Sequence, residues 1–174
     1  MATTKGKIKA ISISKDRGTR KYNVPAAELK VGFGIEGDAH ADNWHRQVSL
    51  LGQESIEKMR AKGADVSAGD FAENITTEGI DLQSLAIGSK LRLGADAEVE
   101  ITQFGKECHS GCVIFQQIGD CIMPREGVFA KVTKSGRIKP GDIIYIYHPQ
   151  AALEAATRPQ AALEVPHVRG ESND

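Results

Sequence analysis

The sequence predicts a mainly β domain with minor α content, built as a compact barrel or sandwich of short strands. Three observations carry that expectation. Strand-like pieces recur at short intervals through the second half: FAENITT, SKLRLG, AEVEIT, GVFAKVTKSG and DIIYIY. Glycines at 79, 88, 94, 105, 127, 136 and 141 punctuate them. Only one stretch has a clear helical pattern, which speaks against alternating strand–helix units around a parallel sheet.

Taken in order, KIKAISIS (Lys7–Ser14) alternates apolar and polar residues with one phase slip, the mark of a strand carrying a bulge. Asp16–Gly18 reads as a turn. Glu28–His40 holds three glycines and fits bent extended chain better than helix. Arg46–Leu51 is a short strand, followed by the clearest helix, Gln53–Gly63. There Ile56 and Met59 share a face, Glu54 and Lys58 stand at i,i+4, and Gly63 supplies the stop. His109–Ile118 reads as a short helix with Cys112, Phe115 and Ile118 on one face and Cys108 at or just before its start. From Pro149 the character changes. PQAALE occurs at Pro149–Glu154 and again at Pro159–Glu164, too little for a repeat fold. Residues 1–148 are therefore expected to form the domain and 149–174 a frayed or loosely docked appendage.

Composition excludes several function classes. A chain of 174 residues and 18.7 kDa is expected to form one domain with a sizeable core. A formal charge of -1 and a pI near 6.5 provide no basic field for nucleic acid. No apolar run approaches the roughly 20 residues that span a bilayer. The first residues lack the apolar stretch and small-residue cleavage site of a secretory signal. Three cysteines, an odd count without such a signal, fit a reducing cytoplasm and disfavour a disulfide.

All three thiols lie in GKECHSGCVIFQQIGDCIMPREG, residues 105–127. Cys108 and Cys112 have zinc-ligand spacing, with Cys121 or His109 to complete a site, although such sites more often use paired knuckles. A reactive thiolate instead needs a helix N-terminus and nearby cations, which Lys106 and His109 would offer Cys108. Cys112 on an apolar face reads as a small buried hydrophobe, and Cys121 stays undecided. GIEGDAHADNWHRQ (Gly34–Gln47) is the second dense patch. Its Asp38, His40, Asp42, His45 and Arg46 form either a polar loop with an Asx-type turn or an anion- or pterin-binding edge, with Arg46 as fork-shaped donor. FAENITTEGI adds Asn74, Thr76 and Thr77, which could bond a polar ligand or face solvent. Lys131 alternates out of phase with Val128, Ala130 and Val132, as a solvated position would. Gly32-x-Gly34-x-x-Gly37 matches a dinucleotide fingerprint formally but lacks its strand–helix context.

GIEGDAHA, RQVSLL, GDFAENITTEGIDLQSLAIGSKLRLG, the cysteine window and GVFAKVTKSGRIKPGDII together resemble the MOSC domain, named after the C-terminal part of molybdenum cofactor sulfurases. The likeness runs from about Lys7 to Tyr147 and is closest to small stand-alone bacterial members. It implies a distorted closed β-barrel with a few short helices, of the MOSC and pyruvate-kinase-barrel type. It also implies a cysteine that carries persulfide sulfur to a metal–sulfur centre such as the molybdenum (or tungsten) pterin cofactor. By motif position that cysteine is Cys108, with Lys106 and His109 beside it. Asp38, His40, Arg46, Asn74, Thr76, Arg125 and Lys131 are the residues expected to hold the cofactor; none is assigned to a metal. Family members also carry a pyridoxal phosphate label, which descends from the cysteine desulfurase domain fused to MOSC in eukaryotic enzymes. No such domain is expected here, so the expected activity is at most sulfurtransferase-like. The partners implied are a cysteine desulfurase as donor and a molybdoenzyme or cofactor-biosynthesis protein as acceptor, with no nucleic acid or membrane. The competing readings are a cofactor-carrying module without chemistry and a zinc-stabilised small barrel with an interaction role.

Overall fold

A computed structural model describes residues 5–107 and 113–147 of the chain. In chain order it contains β1 (Lys5–Ile13), β2 (Tyr22–Asn23), β3 (Ala27–Lys30), β4 (Gly34–Ile35), β5 (Val48–Gly52), α1 (Gln53–Ala61) and β6 (Ile75–Glu78). A single 3-10 turn at Leu82–Ser84 precedes β7 (Lys90–Leu93) and β8 (Ala97–Phe104). Two short helices, α2 (Val113–Ile118) and α3 (Met123–Glu126), lead into β9 (Val128–Lys134), β10 (Gly136–Ile138) and β11 (Ile143–Tyr147).

Seven strands close on themselves in the order β11-β7-β8-β9-β5-β6-β1, with β1 pairing back onto β11. Every neighbour pair in this barrel is antiparallel except β5 and β6, whose parallel register (Leu50 opposite Ile75) requires the crossover that α1 begins. β2 extends β1 at one end, and β10, β3 and β4 form a separate small sheet. The phase slip in KIKAISIS is a true irregularity: the β1–β6 register shifts between Ile8 and Ala10. Glu28–His40 folds as β3, a turn, β4 and a further turn, the bent extended chain its glycines predict.

Alternation along the strands sorts the core into two bodies. Leu50, Val128 and Ala130 point into the barrel with Ile8, Ile75, Leu91, Val99 and Ile144. Their chain neighbours Leu51 and Phe129 point outward, into a second cluster with Ile56 and Met59 of α1, Phe71, Ile114, Ile122 and Met123. β5 is thus buried on both faces, and truncating Leu50 or Leu51 to alanine is expected to cost ~2–5 kcal/mol.

Two local expectations are revised. Glu54 and Lys58 do not pair along α1. Glu54 accepts the Gly79 N–H at 2.7 Å, and Lys58 reaches Glu126 at 2.5 Å, so tertiary partners replace the i,i+4 contact. On α2 Ile118 packs against the second cluster as expected, but Ile114 is buried beside it where Phe115 was expected, and Phe115 is 43% exposed; Cys112 lies outside the described residues. The appendage from Pro149 also lies outside them. Among the described residues, no helix is long and apolar enough to cross a membrane.

Candidate anion-binding site

The loop between β4 and β5 is anchored from within. Asp38 accepts the backbone N–H of Ser14 at 3.1 Å and that of His40 at 3.0 Å, which folds the loop around its carboxylate. The Lys21 ammonium sits against the same carboxylate at 2.7 Å, and both side chains are fully buried. Burial lowers the Lys21 pKa, opposed by Asp38. Burial works to raise the Asp38 carboxyl, yet the neighbouring His40, Lys21 and Ser14 N–H outweigh it and hold Asp38 well below the usual carboxylate range.

Further along the loop, aromatic rings hold two arginines. Trp44 donates its indole N–H to the His40 carbonyl at 2.8 Å. Arg17 and Arg46 lie over the Trp44 ring at 5.0 and 4.7 Å, and Arg46 also faces Phe129 of β9 at 5.6 Å. Arg46 Nε is buried and has no hydrogen-bond partner among the described residues. Among the described residues no carboxylate pairs with Arg46. A guanidinium clamped by two rings with a buried donor left open is short of an acceptor.

Beneath it, β5 and the start of β6 are tied by Asn74. Its Oδ1 accepts the Ser49 N–H at 3.0 Å, and its Nδ2 donates to the Ser12 carbonyl at 3.0 Å. The residue before, Glu73, is wholly buried and accepts from Gly69 N–H (2.5 Å), Phe71 N–H (3.2 Å) and Thr76 Oγ1 (3.0 Å). Burial pushes the Glu73 carboxyl up to about 7, with these donors working against the rise. Ala72, between Glu73 and the loop, adopts a left-handed φ of 62°, a strained conformation for a residue with a Cβ.

The last wall comes from Gly105-Lys106. Gly105 has φ 60°, packs its α-carbon face against the Pro124 carbonyl and donates to the Gly127 carbonyl at 2.7 Å, a place only glycine fills without displacement. These pieces enclose a cavity of about 20 Å³ lined by Gly18, His40, Arg46, Ser49, Ala72, Asn74, Lys106, Met123 and Phe129. That is room for roughly one water-sized group, so the cavity can take one end of a ligand and not a whole pterin. Two wider clefts, about 280 and 380 Å³, lie elsewhere and are lined by other residues. In the first, the charged walls are already engaged: Lys58 with Glu126, and Glu54 with Gly79.

Of the residues singled out in the sequence, the cavity brings together His40, Arg46, Asn74 and Lys106. Asp38 stands behind His40 as its support. Thr76 is buried and bonded to Glu73, and does not reach the cavity. Arg125 is turned to the surface on α3, where Asp120 holds it at 3.1 Å. Lys131 is exposed on β9, 3.6 Å from Glu100. Cys108, His109 and Cys112 lie outside the described residues. Cys121 is buried in the second core cluster. Among the described residues no group of His, Cys, Asp and Glu could hold a metal ion. Among the contributors that went unread in the sequence are Lys21, Glu73, Trp44 and Phe129. Only Trp44 carried a local signal, as the sole tryptophan of the chain lodged beside His45 and Arg46.

Fold and site together define a small closed barrel with an arginine-centred cavity on the outer side of β5 and β9. The MOSC domain model matches residues 36–145, more than half of the sequence, and the chain belongs to that family, one associated with the molybdenum cofactor. Several solved structures share its fold, among them three named proteins. The YuaD protein of Bacillus subtilis is 20% identical with a TM-score of 0.72, over 86% of this chain and 100% of that one. YiiM of Geobacillus stearothermophilus is 19% identical with a TM-score of 0.63, over 82% and 75%. YiiM of Escherichia coli is 16% identical with a TM-score of 0.61, over 84% and 71%. No curated protein matches the sequence.

Proposed function

We propose that this cavity binds the anionic end of a molybdenum (or tungsten) pterin cofactor and that Cys108, two residues beyond Lys106, carries sulfur for it. The observation that supports binding is Arg46, whose buried Nε lacks an acceptor among the described residues while its guanidinium lies against the Trp44 and Phe129 rings. A phosphate oxygen is the acceptor such a donor suits, and Lys106 adds a second positive charge to the wall that His40 also lines. The cofactor would supply a soft metal centre able to take up sulfur. The chain's own residues bind and orient: Arg46 and Lys106 by charge and His40 by a hydrogen bond, with Phe129 and Met123 closing the apolar side.

Sulfur loading follows ordinary thiol exchange. The Cys108 thiolate attacks the outer sulfur of a donor persulfide, the S–S bond breaks, and the donor cysteine leaves as thiolate. The Lys106 charge two positions earlier in the chain favours the attacking anion. The family association and the motif position of Cys108 support this half. The test is intact-mass analysis of protein purified without reductant, together with cofactor binding. The expected results are a species one sulfur atom heavier that disappears in Cys108→Ser, and cofactor binding that weakens at least tenfold in Arg46→Met. Cofactor binding with no added sulfur would instead mark a carrier module without chemistry. Bound zinc would mark a zinc-stabilised barrel.

A further inference from the structure

Lys21 contributes nothing to the cavity wall, yet its ammonium ends directly behind it. With its side chain wholly buried, Nζ meets three partners: Asp38 Oδ1 at 2.7 Å, Ser14 Oγ at 3.0 Å and His40 Nδ1 at 3.1 Å. An ammonium has three N–H bonds and no acceptor. The first two partners can only accept. Asp38 is a carboxylate already taking the N–H groups of Ser14 and His40, and Ser14 spends its own hydroxyl proton on the Asp16 carbonyl at 2.8 Å. The third N–H closes the set only if His40 Nδ1 offers a lone pair. The single proton of the neutral ring then belongs on Nε2, the nitrogen that Lys21 does not occupy.

This reverses the usual consequence of a histidine beside a carboxylate. Such a ring commonly donates Nδ1–H to the acid and turns a bare Nε2 outward, ready to accept a proton or ligate a metal. Here Nδ1 is 3.7 Å from Asp38 Oδ2, beyond hydrogen-bond range, and the Lys21 ammonium takes the acid's place.

We infer that Lys21 is a positioning residue that locks His40 in the Nε2–H tautomer, so that the cavity meets its ligand with donors only and selects an oxyanion over a metal cation. The tautomer rests on the buried network alone, while the selectivity rests on the anion-binding reading proposed above. His40, Arg46 and Lys106 line the same cavity, so an entering oxygen of a tetrahedral oxyanion such as a phosphate group meets donors from several residues. A divalent cation finds charge repulsion and no open ring nitrogen.

The experiment is long-range 15N–1H correlation NMR on the full labelled chain, with the five histidines separated by the spectrum of His40→Gln. At neutral pH the expected wild-type pattern for His40 is a bare Nδ1 and a protonated Nε2, with the Nε2 resonance moving on titration with inorganic phosphate. In Lys21→Met the ring is free to turn Nδ1–H toward Asp38. The expected result is a shift of the tautomer balance to Nδ1–H and at least a tenfold weaker response to phosphate. Since that variant also strands a buried carboxylate, the wild-type spectrum is decisive if it does not fold. A proton on Nδ1 in the wild type, as a neutral Lys21 would require, overturns the inference whether or not phosphate binds. A protonated Nε2 that phosphate does not move would sink the anion cavity, and the selectivity with it, while leaving the Lys21 lock standing.

Discussion

Asp38 and Glu73 are both buried carboxylates within a few residues of the same cavity, and their acidities move in opposite directions. Asp38 has a full ammonium at 2.7 Å and stays ionised far below the usual range. Glu73 has two backbone N–H groups and one hydroxyl, and burial pushes it up to about 7. Neutral dipoles satisfy the oxygens of Glu73 as hydrogen-bond acceptors but do not replace the water that stabilised its charge. A buried carboxylate kept as an anion needs a countercharge, and among the described residues near the cavity the Lys21–Asp38 pair provides it at contact.

The largest expected effect breaks that pair. Lys21→Met leaves Asp38 buried and uncompensated, and should lower the unfolding free energy by ~3–5 kcal/mol in urea titrations. Lys21→Met combined with Asp38→Asn removes both charges and should recover most of the loss. A double variant as unstable as the single one would mean that the charge pair is not what distinguishes Asp38 from Glu73.

The next effect is a pH dependence. The folded value of Glu73, about 7, lies above its ordinary 4.5, so the folded state holds the extra proton between those limits. Its contribution is therefore full below about 4.5 and falls as pH rises toward 7, a decline of roughly 3 kcal/mol that ends once both states are ionised. Asp38 behaves oppositely: its folded value is depressed, so its contribution holds through neutral pH and is lost only in strong acid. Unfolding measured at steps from pH 4 to pH 8 should show the first slope, and Glu73→Gln should flatten it. A wild-type stability that stays level across this range would show Glu73 to be as well compensated as Asp38.

A smaller effect sharpens the dipole half of the comparison. Thr76→Val removes one donor to Glu73 and should cost ~1 kcal/mol, while moving the Glu73 titration further upward. Smallest is Lys131→Ala, which breaks an exposed pair with Glu100 and should stay within about 0.5 kcal/mol.

These contrasts also mark what was legible in the sequence. The strands of the barrel show in the alternation of residues such as Val128, Ala130 and Val132, because one face of each meets a common interior. Even the bulge of β1 showed, as a phase slip. His40 and Arg46 stood out because polar residues beside a glycine pair are conspicuous. What surrounds them was not legible. Lys21 looks like any turn-flanking lysine, and its burial depends on Asp38, 17 positions away. Arg46 was readable as a donor, but the Trp44 and Phe129 rings that clamp it arrive from a loop and a distant strand. Thr76 stands out for its hydroxyl, but it pairs with the outward-facing Leu51 across β5 and β6, and that hydroxyl is spent on Glu73 outside the barrel interior. The short α3 and β10 were hidden for a simpler reason: four and three residues are too few to show a period.

The closure of the barrel has a consequence for how the chain is made. β1 is sealed along one edge by β11, with Lys5, Gly6 and Lys7 paired to Tyr145, Ile144 and Ile143. During synthesis that edge of the first strand must therefore wait for almost the last residue of the barrel to emerge. Until then its row of backbone donors and acceptors is open to the wrong partner, including the same strand of another nascent chain. Contacts this far apart in sequence are also the slow ones to form. The exposed lysines of β1, Lys5, Lys7 and Lys9, place like charges along the strand during that interval. Replacing them with neutral residues should lower soluble yield more than it lowers the stability of the finished barrel.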